Sequence, residues 1–204
     1  MNSASDLAPI AYANFLRTIL DIQRLKTVPG IYHHVRRIPY GAAGQRDPQS
    51  VYQARRGTCS GKHLLLRDLL RTAGHKAEVL CIYTHFNKGM PSHPSMPREL
   101  QELIEHQIVP DYHNVVRFFP AGSANSQLLD ATWDDRMLGF GFPVNTAWAG
   151  IGDTKLAGSI LRVEEISDDL IGQKIELLNH FSGQELEIRS RFLTLLTEWI
   201  SRQV

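Results

Sequence analysis

Three residues carry most of the chemical content of this chain. Cys59 lies in Arg55-Arg56-Gly57-Thr58-Cys59-Ser60-Gly61-Lys62-His63, just ahead of the leucine-rich run Leu64 to Leu70. His113 follows in Asp111-Tyr112-His113-Asn114-Val115-Val116, and Asp130 in Leu128-Leu129-Asp130-Ala131-Thr132-Trp133-Asp134. A thiol, an imidazole and a carboxylate are the parts of a covalent catalyst. The thiol attacks, the imidazole takes its proton, and the carboxylate orients the ring and supports its positive charge. Alone, each residue has a plainer reading. A lone cysteine is more often a small buried hydrophobe, a lone histidine a surface or hydrogen-bonded core residue, and a lone aspartate a turn carboxylate. The conjunction, in order and in context, points to a site.

These residues need elements to position them. Residues from about Thr58 to Ala73 read as a helix closed by Gly74 at C′, so Cys59 sits in its first turn. The unsatisfied N–H groups and partial positive charge there favour a thiolate, and Lys62 or Arg56 would add to the effect. Ala77 to Phe86 reads as a strand. Strands near His113–Phe119 and Gln127–Thr132 follow, joined by the turn-forming segment Pro120 to Ser126. The spacing of 17 between His113 and Asp130 suits neighbouring antiparallel strands. A helix from Pro9 to about Lys26 precedes the site, stopped at Pro29-Gly30, with a loop over Ile38 to Ser50. Pro97 to about Gln107 is a short helix. The last helix starts at Ser182 with Glu185 completing a capping box, and its stripe is Phe192, Leu196, Trp199 and Ile200. Helices first, then strands, then helix, with no repeat or linker, indicate one α+β domain over residues 1–204.

Composition narrows the possibilities. The chain has 204 residues, 43% of them hydrophobic, enough for a sizeable core. Lys and Arg number 22 against 21 Asp and Glu, so there is no general charge reason to expect nucleic acid or an anionic membrane as partner. Two cysteines make no disulfide scaffold. The polar start, Met1 to Leu7, does not read as a secretion signal, and no stretch approaches the ~18 apolar residues of a membrane span. A reducing, cytoplasmic setting is the expectation, and it would keep Cys59 a thiol. Cys81, mid-strand among apolar residues, reads as buried. His85, His93 and His106 match no zinc spacing, so no metal is expected. Arg36-Arg37 and Arg55-Arg56 could recognise an acidic substrate group, with solvated charge the default reading. The 87–110 insert and the aromatic Gly139–Gly152 stretch are candidate walls or lids of a cleft.

The segment from Arg55 to Ala77 resembles the cysteine segment of transglutaminase-like domains, with Gly-x-Cys, a leucine-rich helix, an Ala-Gly end and a strand. Asp111-Tyr112-His113-Asn114 resembles their histidine segment, and Leu129-Asp130-Ala131-Thr132-Trp133-Asp134 their Asp-x-Thr-Trp aspartate segment. The likeness covers about residues 38–134 of a stand-alone domain. It implies a papain-like/transglutaminase-like α+β core, N-terminal helices with the cysteine helix packed on an antiparallel sheet. It implies Cys59 as nucleophile, His113 as base and Asp130 as orienter, and no cofactor. Where many such domains have His-Ala-Trp-x-Glu, this chain has His113 followed by Asn114, Val115 and Val116, a difference that bears on substrate shape. Papain-like proteases place an oxyanion glutamine six residues before the cysteine, which makes Gln53 a candidate beside the Cys59 backbone N–H. Asn114 and Trp133 are candidates to line the site.

The expected activity is thiol acyl transfer on an amide, ester or thioester. The substrate class is a small molecule or peptide, with a carrier-bound acyl donor compatible. Two alternatives stand beside it. One is an acyltransferase like the arylamine N-acetyltransferases, which use the same three residues; Asp-Ala-Thr-Trp at Asp130 speaks against it, since a Gly-Phe-Gly-type run usually follows their aspartate. The other is a non-catalytic binding module on the same scaffold. Acceptor and oligomeric state stay open at this level.

Overall fold

The computed structural model describes residues 4–41, 46–164, 166–167 and 169–203, with side chains from Ile10 onward. Among the described residues, seven α-helices, two short 3-10 helices and four strands alternate with irregular segments. α1 spans Ala4–Ile22, α2 Val28–Arg36, α3 Pro48–Ala54 and α4 Cys59–Thr72. β1 is Lys76–His85, α5 Arg98–His106, β2 Pro110–Phe119, β3 Gln127–Leu129 and β4 Arg162–Val163; α6 is Leu170–Leu178 and α7 Gly183–Ser201. The strands form one antiparallel sheet in the order β3-β2-β1-β4. The fold is therefore mixed α+β, with helices packed on a four-stranded antiparallel sheet.

Two large cores hold it together, beside a small cluster of Leu80, Ile82 and Val115. The first joins α1 to α4 to the sheet: Leu65, Leu66, Leu69 and Leu70 of α4 are fully buried against Val79, Tyr112 and Val116. Burying a leucine contributes about 2 kcal/mol, so the four together dominate the packing of this helix. The second core lies around α5 and α7, where Phe192, Leu196, Trp199 and Ile200 meet Phe86, Leu100, Trp133 and Phe142. The stripe read in the last helix is the face that packs here, and its capping box is present in full.

Several boundaries differ from the sequence reading. α1 ends at Ile22 rather than Lys26, and Arg24 follows with φ of 51°. Pro29-Gly30 does not stop α1, which has already ended at Ile22; it lies in the first turn of α2. Thr27 caps this helix by accepting from the Gly30 N–H, and a proline is harmless in a first turn that has no carbonyl to meet. α3 begins within the expected loop for the same reason, with Asp47 as cap and Pro48 behind it. β3 stops at Leu129 instead of Thr132, so Asp130 lies just past the strand. The backbone N–H groups that would continue the ladder go to side chains instead: Asp130 to Thr154 Oγ1, Ala131 to His63 Nε2 and Thr132 to Asp130 Oδ1. α6 and β4 had no counterpart in the sequence reading.

Candidate active site

Cys59 is the first residue of α4 and is 4% exposed. Its place depends on small residues around it. A Cβ on Gly61 would lie 2.5 Å from Val51 Cγ2, and one on Gly57 2.7 Å from Val51 Cγ1, so α3 can seat itself against the start of α4 only because both are glycine. His113 is fully buried on β2, opposite Ile82 of β1. Its ring is stacked on Phe86, with centroids 5.4 Å apart.

The His113 Nε2 meets Asp130 Oδ2 at 2.9 Å, and both side chains are buried. Asp130 is held on every side. Its Oδ2 also accepts the Ala157 N–H at 2.7 Å and its Oδ1 the Thr132 N–H at 2.9 Å, while its carbonyl accepts from the Tyr32 hydroxyl. Burial works against charge on this carboxyl, but the charge and hydrogen bond of His113 hold it well below the usual carboxylate range. The other ring nitrogen, His113 Nδ1, is buried and makes no hydrogen bond of standard geometry to a described residue. Asp130 and then Cys59 are the charges that most favour the protonated ring.

The electrostatics are those of an ion pair. Burial would raise the Cys59 thiol, but the Lys174 ammonium and His113 outweigh it and bring it down to about 5. Burial would likewise lower His113; Asp130 and Cys59 prevail and push it up to about 10. Both shifts run in the direction that favours thiolate and imidazolium. Cys81 is the contrast. Burial pushes its thiol up to about 12, and it stays an inert thiol in the core, as its apolar sequence context indicated.

Sequence reasoning missed the residues that build the rest of the site. Lys174, on α6, is 4% exposed; its ammonium donates to the Tyr112 carbonyl and lies 3.6 Å from Asp111 Oδ1. Arg189, on α7, donates from Nε to the same oxygen at 2.7 Å. These two cations keep the buried Asp111 carboxyl low despite its burial. The signal for Asp111 was its place two residues before His113. Lys174 sits in Leu-Ile-Gly-Gln-Lys-Ile-Glu-Leu-Leu, where nothing local distinguishes it from a solvated lysine. His63 was also missed. Its Nε2 accepts the Ala131 N–H at 2.8 Å, so its Nδ1 must carry the proton given to the Cys59 carbonyl at 2.7 Å. This neutral ring ties the cysteine to the aspartate loop.

Lys62 differs from its expected use. Its ammonium donates to three carbonyls, of Arg36, Ile38 and Thr132, at 2.6–3.0 Å. It joins α2 to the segment after Asp130, and Lys174 takes the larger part in favouring the thiolate.

The remaining candidates separate. Asn114 is buried and accepts from the Ser60 hydroxyl at 2.8 Å, with its Nδ2 unpaired among the described residues. Trp133 is buried in the second core, 5.0 Å from the Tyr40 ring, and its indole N–H is also unpaired. Gln53 is exposed on α3 and is not brought to the triad. The 87–110 insert is packed rather than open: Met90, Met96, Leu100 and Ile104 are buried in the second core. Of the Gly139–Gly152 stretch, Phe142 joins that core, whereas Trp148 stacks edge-on against Tyr32 in the first.

No protein-family model matches this chain, and no curated protein matches it. Among the described residues no helix is long and apolar enough to cross a membrane.

Proposed function

We propose that the protein is a cysteine-dependent acyl-transfer enzyme of the transglutaminase-like, papain-like kind, acting on an amide, ester or thioester of a small or peptide substrate. One observation carries the reading: a buried cysteine in the first turn of a helix is coupled electrostatically to a buried imidazole whose Nε2 is bonded to a fully held carboxylate. The Cys59 thiolate attacks the carbonyl carbon, forming a C–S bond and an oxyanion. The Cys59 backbone N–H, free of any intrahelical acceptor, is a donor for that oxyanion. The buried, unpaired N–H groups of Trp133 and Asn114 are the side-chain candidates for a second donor, in preference to the exposed Gln53. Collapse expels the amine, alcohol or thiol, which takes its proton from the His113 imidazolium. Water or an amine then gives a proton to His113, attacks the thioester and releases the thiolate. Asp130 keeps the ring oriented throughout.

Iodoacetamide alkylation of Cys59, followed by mass spectrometry across pH, tests the reading. The rate should already be near its plateau at pH 6.5, at least tenfold above the same cysteine in the urea-unfolded chain, whose thiol titrates near 8.5. Cys59→Ala should fold and lose all turnover of thioester and amide substrates. A Cys59 that alkylates no faster than the unfolded chain at pH 6.5 points instead to a binding module.

A further inference from the structure

A groove of about 370 Å³ opens at Thr58, just before the start of α4, against the exposed edge of α7. Its size is at the small end of ligand sites and suits a small acyl compound or one or two residues of a peptide. Thr58, the residue before Cys59, lines it, and its hydroxyl is not used to cap α4. Tyr40 links groove to thiol, since its phenol is kept protonated by burial and then by the charge of Cys59. Two guanidinium groups, Arg46 and Arg189, face the same space. Arg189 uses Nε on Asp111, and among the described residues its terminal N–H groups have no hydrogen-bond partner. Among the described residues, no hydrogen bond or ion pair engages the Arg46 side chain. Leu193 supplies an apolar wall, and Glu198, exposed, stands at the rim 4.0 Å from Arg202.

We propose that this groove binds the substrate, and that the substrate carries one carboxylate, held by Arg46 together with the terminal N–H groups of Arg189. The inference rests on Cys59 being the nucleophile. A planar carboxylate matches the guanidinium fork, and a half-buried arginine without a protein partner otherwise leaves its donors to water alone. Glu198 at the rim disfavours a second anionic group there, so the rest of the substrate is neutral or cationic.

Two alkylating reagents of nearly equal shape test this. Iodoacetate and iodoacetamide both lose iodide to the Cys59 thiolate as a C–S bond forms, and only iodoacetate carries a carboxylate. At pH 6.5 and low salt, the ratio of their rates should be about tenfold higher than in the urea-unfolded chain, and 0.5 M NaCl should reduce it. Arg46→Gln should bring the ratio within twofold of the unfolded value; any general effect on the thiolate cancels in a ratio. A native ratio equal to the unfolded one, or one unchanged by Arg46→Gln, overturns the carboxylate site and leaves the thiol reading intact. Failure of Cys59 to react with either reagent overturns the thiol reading. The groove is then judged by NMR titration of butyrate, following the Arg Nε–H signals. Saturable shifts at Arg46 and Arg189 support a carboxylate site, and their absence overturns it.

Discussion

Lys62 and Lys174 are the two buried lysines of this molecule, and they do different work. Lys62 lies where α4 meets the end of α2 and the segment after Asp130, and all three of its N–H donors go to main-chain carbonyls. Burial brings its ammonium down to about 7, against the pull of Asp134 and Asp130, so its charge is held at a cost. Lys174 lies in α6, with one carbonyl and the Asp111 carboxylate as partners, and its charge acts on the Cys59 thiol. Equal burial thus says little about role. What a buried cation faces decides it: neutral carbonyl dipoles make it a structural tie, a titratable sulfur makes it an electrostatic tuner.

Removing each lysine without changing its length separates these roles. Lys62→Met leaves three carbonyls without a donor and should cost about 3–5 kcal/mol in urea unfolding. A loss under 1 kcal/mol would break the structural side of the comparison. Lys174→Met should cost less stability, because Arg189 still pairs with Asp111, but should move the thiol. The sign follows from charge: losing a nearby cation raises the thiol pKa, so the rise of iodoacetamide reactivity with pH shifts upward. A shift of one unit or more corresponds to about 1.4 kcal/mol and a tenfold slower reaction on the acid limb, with the same plateau at high pH. An unshifted profile in Lys174→Met would assign the low thiol to His113 and the helix terminus alone. The smallest effect belongs to Gln53→Ala. On the solvent face of α3 it should change turnover less than twofold, and a loss of tenfold or more in kcat would return Gln53 to the oxyanion role.

The same contrast marks how far local sequence reaches. Cys59, His113 and Asp130 were legible because each sits in a recognisable context: a helix start, a strand and the turn after one. The leucines of α4 and the stripe of α7 were legible because helical periodicity writes burial directly into residue spacing. The position of Asp130 past its strand was not legible. Its loop is held by Thr154, Ala157 and His63, which are 24, 27 and 67 residues away. α2 was missed because Pro29-Gly30 is a stop signal until a cap at Thr27 turns it into a start.

By itself the sequence determined the α+β class, the cysteine helix, the strand that carries the histidine, and the three residue types that could act together. Only the tertiary structure decided which charges surround them. It brought Lys174 and Arg189 from the C-terminal helices to Asp111, spent Lys62 on carbonyls and left Gln53 in solvent. Periodicity and capping are local and survive in a string of letters. The field at a buried sulfur sums over groups far apart in the chain, and no local pattern records it.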